Sequence, residues 1–135
     1  TGSFTNLSAS QQIFAPAGIT GATGSFSYMN VKNVCTSGSF NATSDYRIKE
    51  NIQLLNNSFN VDKLIPVTYI NKIIDKQDIG VIAHEIQEVY PFLVNGEKDT
   101  SSYQTVNYNG IIGILIKEVQ DLKKELKIIK EKFKL

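Results

Sequence analysis

The chain has 135 residues, enough for one ordinary domain or a small domain with an appendage. Its 41% hydrophobic and 20% charged residues exclude a disordered or collagen-like polymer, and a formal net charge of +1 lacks the electrostatic footprint of a duplex nucleic-acid binder. No apolar run approaches the roughly 20 residues needed to span a bilayer, so neither nucleic acid nor membrane is expected as a partner.

The charges are unevenly placed. Residues 1–43 hold one charged residue, Lys32, while the other 26 of the 27 lie from Asp45 onward. The same stretch carries 13 of the 20 Ser and Thr residues and five of the nine Gly. It is too uncharged for a solvated disordered tail and too poor in large apolar residues to build its own core. The tripeptide Gly-Ser-Phe recurs at Gly2, Gly24 and Gly38, each time after Thr or Ser and before a short run such as Ser27-Tyr28-Met29-Asn30-Val31. Short strands that cannot bury a face alone acquire one from neighbours, here from other copies of the chain. The run Gly18-Ile19-Thr20-Gly21-Ala22-Thr23-Gly24 has glycine every third residue, but two triplets are too few for a triple helix, and it reads as a loop. Residues 1–43 are therefore expected to be β-rich and to pair with other copies of the chain. The chain begins at Thr1 and is expected to be a fragment or processed product.

From Ser44 the pattern turns to mixed α and β. Asp62 is expected to cap a short helix through Lys63-Leu64-Ile65, which Pro66 ends. Residues 67–70 and 79–82 read as strands, 84–89 as a helix stopped by Tyr90-Pro91, and 104–108 as a further strand. A region this small is marginal alone, so help from oligomerisation is expected.

The C-terminal segment carries the clearest periodicity. Ile112, Leu115, Val119, Leu122, Leu126, Ile129 and Phe133 are spaced alternately by three and four residues, an unbroken heptad. Ile112, Val119, Leu126 and Phe133 take position a, and Leu115, Leu122 and Ile129 take position d. Glu118 and Glu125 then fall at g, and Lys123 and Lys130 at the following e positions, which meet across parallel helices. The spacing predicts a helix over about 110–134 in a parallel bundle of identical chains. The alternative is an amphipathic helix packed on its own domain, and the a/d mix does not decide between two and three strands.

Ser44-Asp45-Tyr46-Arg47-Ile48-Lys49-Glu50-Asn51-Ile52 resembles the opening signature of the endosialidase-type intramolecular chaperone domain. That family occurs at the C-termini of phage tailspikes and tail fibres, and in membrane-bound transcription factors of the myelin-regulator type. The resemblance continues through Leu64-Ile65-Pro66-Val67-Thr68-Tyr69 and Asp78-Ile79-Gly80-Val81-Ile82-Ala83-His84-Glu85-Ile86, and resumes at Val106-Asn107-Tyr108 and the last helix. It covers about residues 44–135. His84 departs from the pattern, which more often has Gln there.

The resemblance implies a homotrimeric folding aid that cuts itself off, associated with a virion fibre or tail precursor assembled in the host cytoplasm. It makes Ser44 the nucleophile, the Thr43–Ser44 bond the cleavage site and Lys49 the general base. Serine needs a base to take its proton, and lysine serves only when neutral, which near pH 7 demands desolvation or a neighbouring cation. Arg47 is a candidate for that repulsion, whereas Asp45 and Glu50 would oppose it unless they point away. Without the family, a Ser and a Lys five residues apart signal little, and Ser44-Asp45 reads equally well as a turn or helix cap.

His84 and Glu85 are further candidates for proton transfer, against the plainer reading of a packed helical His. One Cys (Cys35) and one His exclude an internal disulfide and a zinc or His-cluster site, so no metal or cofactor is expected. With the resemblance, the fold expected is α+β: the end of a β-rich trimeric fibre stem over 1–43, then a chaperone and autoprocessing domain over 44–135 whose last helix forms a parallel trimeric coiled coil. A non-cleaving trimerisation cap and the processing domain of a membrane-tethered transcription factor are the alternatives.

Overall fold

The computed structural model describes Met29 and residues 34–134. The chain divides into Thr1–Val34 and Cys35–Leu135, and all the regular structure described here belongs to the second unit. The Gly-Ser-Phe copies at Gly2 and Gly24 and the glycine triplets lie outside the described residues. The third copy, Gly38-Ser39-Phe40, is exposed and irregular, and residues 34–45 contain no strand or helix.

The expected helix over residues 63–65 is replaced by a single turn, closed by Leu64 N–H on the Val61 carbonyl at 2.9 Å. Pro66 explains the difference, because its ring disfavours the helical region for Ile65. Asn60 also captures the Asp62 N–H at 3.2 Å, so Asp62 is held within a turn rather than capping a helix.

Strands β1 (Val67–Asn71) and β2 (Lys76–Gly80) form an antiparallel hairpin in the register Val67↔Gly80 to Asn71↔Lys76. β2 lies earlier than residues 79–82. The turn fixes this: Asn71 accepts the Asp75 N–H at 2.8 Å and Asp75 takes a left-handed φ of 51°, so pairing starts at Lys76. It stops at Gly80, opposite Val67, because Pro66 has no N–H to extend the ladder. The Val81 N–H is then accepted by the Tyr108 hydroxyl at 3.3 Å.

Helix α1 (Ala83–Val89) matches the expected helix and ends at Tyr90 before Pro91. A 3-10 turn, Pro91–Leu93, leads into β3 (Val94–Asn95), which pairs antiparallel with β4 (Thr105–Val106). The strand expected over 104–108 is cut at both ends. Gln104 donates its side-chain amide to Gln87 at 2.8 Å, while Asn107 gives its N–H to Leu93 at 2.8 Å and becomes the cap of α2 (Tyr108–Phe133).

The buried core is small: Ile86, Tyr90, Leu93, Val94 and Ile114, flanked by Phe59, Val61, Leu64, Val106 and Ile111. The observed content is thus mixed α and β, with two small sheets and a long terminal helix. α2 touches the core through Ile111 and Ile114. All seven a and d residues point elsewhere and are exposed, Leu115 least at 46% and Leu122 and Phe133 most at 64%. Packing of the seam on the chain's own body is therefore not what the helix does.

Candidate active site

The segment that opens the mixed region folds by local hydrogen bonds alone. Asp45 is extended, with φ −66° and ψ 139°, and caps a 3-10 turn over Tyr46–Ile48. Its Oδ1 accepts the Arg47 N–H at 2.9 Å, as a short polar side chain at this position does. The Arg47 side chain then folds back on the same carboxylate, Nε to Oδ1 at 2.9 Å and Nη2 to Oδ2 at 2.8 Å. Lys49 closes the turn with its N–H on the Tyr46 carbonyl at 3.1 Å.

One tight turn between Ser44 and Lys49 reverses the chain enough for the two side chains to meet. Lys49 Nζ donates to Ser44 Oγ at 2.6 Å. Both residues, and Thr43 before them, are exposed, and no residue of the turn is buried. Arg47 holds the Asp45 carboxyl below the usual carboxylate range, first through its side chain and then through its N–H, with the Lys49 charge adding a little. The same pairing pushes the Arg47 guanidinium up.

The other candidates are elsewhere. His84 and Glu85 sit half-buried in the first turn of α1, and among the described residues neither bonds to Ser44 or Lys49. Cys35 is free and exposed, and no group of His, Cys, Asp and Glu among the described residues could hold a metal ion. No helix among them is long and apolar enough to cross a membrane. Sequence reasoning missed the Asp45–Arg47 clamp. Its signal was present as an acid and an arginine two residues apart after an N-capping residue type.

On α2, the seam runs beside its own charges. Lys117 pairs with Glu118 at 3.2 Å and Asp121 at 3.1 Å, and Lys124 pairs with Asp121 at 3.1 Å. Four of the five e and g charges, Lys123, Glu125, Lys130 and Lys132, make no ion pair within the chain among the described residues.

Two comparisons bear on this geometry. The chain is 34% identical over 110 residues to the long tail fiber protein Gp37 of Salmonella phage S16, covering 67% of this chain and 14% of that protein. It is 34% identical over 80 residues to the Gp37 of Escherichia phage AR1, covering 53% of this chain and 7% of that one. The chain thus spans a small part of the length of either relative. The family model described as chaperone of endosialidase, in peptidase family S74, matches residues 44–95, so the matched stretch begins at the serine that meets Lys49. Residues 44–95 thus match the chaperone of endosialidase family, the one that the Ser44–Ile52 motif resembles.

Proposed function

We propose that residues 44–135 are the C-terminal intramolecular chaperone of a fibre chain. Three copies join through the α2 seam, hold the stem residues 1–43 in register, and are released by cleavage between Thr43 and Ser44. The contact of Lys49 Nζ with Ser44 Oγ at 2.6 Å carries the cleavage reading. Exposure of every a and d residue supports assembly between chains, and likeness to tail fibre proteins supports a fibre of a virion as its setting.

In the proposed reaction the neutral Lys49 amine takes the Ser44 hydroxyl proton as Oγ attacks the Thr43 carbonyl carbon. The Thr43–Ser44 C–N bond breaks, its nitrogen receives the proton from Lys49, and Thr43 is left as an ester on Oγ. Water hydrolyses that ester, freeing the Thr43 carboxylate and restoring the hydroxyl. A solvated lysine is a poor base near neutral pH, because its amine is then almost wholly protonated. Assembly would have to withdraw the dyad from water, which couples cutting to correct association. Interchain β structure nucleates slowly, so the order is useful: zip the helices, wind the stem, then cut.

Denaturing electrophoresis tests the reading. A fragment of residues 44–135 should appear for the parent and be missing for Ser44→Ala and Lys49→Ala. The exposure of both dyad residues in the single chain favours one other reading, a permanent trimerisation cap. In that case all three proteins stay whole while still sedimenting as trimers.

A further inference from the structure

The Asp45–Arg47 clamp has a consequence for Lys49. Asp45 lies one residue after Ser44 and four before Lys49, and its carboxylate feels the Lys49 charge. An unengaged carboxylate there would compete with the Ser44 hydroxyl for the ammonium, and win, since a hydrogen bond between two ions is stronger than one to a neutral hydroxyl. Yet Lys49 forms no ion pair among the described residues, and its Nζ donates a hydrogen bond to Ser44 Oγ at 2.6 Å. Arg47 occupies both carboxylate oxygens, with its backbone N–H and Nε on Oδ1 and Nη2 on Oδ2, and the planar two-donor fork of Nε and Nη2 is what a lysine does not reproduce.

We propose that Arg47 is a positioning residue for the dyad: by closing on Asp45 it removes the nearest carboxylate from Lys49 and leaves the lysine head on the serine hydroxyl. The catalytic consequence rests on the peptidase reading above; the positioning itself does not. The groups that bear on Lys49 are few. Asp45 feels its charge across the turn, Arg47 is closed on Asp45, Glu50 adjoins it in sequence, and no residue of the turn is buried. Two charges cancelled inside one bidentate pair act on Lys49 weakly, whereas a bare Asp45 would hold the amine protonated and unable to act as base. The effect grows if assembly dehydrates the site, because charges interact more strongly out of water.

The test is a double-mutant cycle on the whole chain with Arg47→Ala, Asp45→Asn and the pair, Asn being chosen because it still caps the turn. The protonation midpoint of Lys49 is followed by side-chain NMR in a Ser44→Ala background, and cleavage rate against pH in the cutting protein. Arg47→Ala should raise the Lys49 midpoint by about one pH unit and slow cleavage about tenfold below it. Asp45→Asn should restore both in the Arg47→Ala background, yet barely move the midpoint while Arg47 is present. Equal shifts from Asp45→Asn with and without Arg47 would overturn the proposal, leaving two independent charges. So would slow cleavage with an unmoved midpoint, which is the mark of a turn staple alone. If the parent itself never cuts, the peptidase reading fails, and the NMR cycle still decides whether Arg47 shields Lys49.

Discussion

Tyr90 grips the backbone of Asn60 on both sides of its Cα. Its hydroxyl accepts the Asn60 N–H at 2.9 Å and donates to the Asn60 carbonyl at 2.8 Å. The ring is 5% exposed and stacks on Phe59, with centroids 6.0 Å apart and planes 8° from parallel. Through this grip the segment leaving the dyad is tied to the core. Tyr90→Phe keeps the ring and strips the partner from two backbone groups, which costs about 1–3 kcal/mol. Chemical denaturation should show a lowered midpoint with an unchanged slope.

Gly110 and Gly113, one turn apart on α2, predict opposite outcomes. A Cβ at Gly110 would collide with the Leu93 side chain, while one at Gly113 meets nothing within 4 Å. Gly110→Ala should destabilise by about 1–3 kcal/mol through overpacking. Gly113→Ala should stabilise by up to about 1 kcal/mol through helix propensity. Thermal unfolding of the two variants checks the sign of each.

Leu122→Asp or Leu126→Asp places a carboxylate in the proposed seam without touching the core at Ile86 and Leu93. Sedimentation should then show single chains at concentrations where the parent is trimeric. Denaturing gels should show the same chains uncut. Cutting by a monomeric variant would separate cleavage from assembly.

Acid should loosen two charge pairs. Asp45 is held low by Arg47, and Asp121 by Lys117 and then Lys124. A carboxyl whose folded value is depressed stabilises above its unfolded value of about 4 and loses that contribution as pH falls through the folded one. Both pairs should be intact at neutral pH and open only below the ordinary carboxylate range. The exchange rate of the Arg47 Nε proton, followed down the pH scale, reports the first pair. Carboxyl carbon shifts of Asp121 report the second.

The heptad was legible because its period is a property of one helix and needs no tertiary knowledge, and α2 spans it from Tyr108 to Phe133. Strand β1 and helix α1 were legible for similar local reasons. The pairing of Val94 with Val106 was not, since two-residue strands carry no alternation and depend on Gly96, at φ 90°, to bring Gln104 alongside. Residues 63–65 misled because a good cap was weighed without the constraint Pro66 places on its predecessor. Ser44 and Lys49 were picked out by family likeness, since the spacing alone says little. What places them together is a turn whose staple runs from Asp45 to Arg47, two residues that the sequence set as opposing influences on Lys49 rather than as partners of each other.

One rod, α2, serves two surfaces: Ile114 is sunk in the domain while Ile112 and Leu115 face outward. Successive residues are about 100° apart around a helix axis, so the domain's azimuth about any bundle is set by that difference in position. Deleting a single residue just after Ile114 would leave the body and the later heptads each intact, yet swing one against the other by more than a quarter turn.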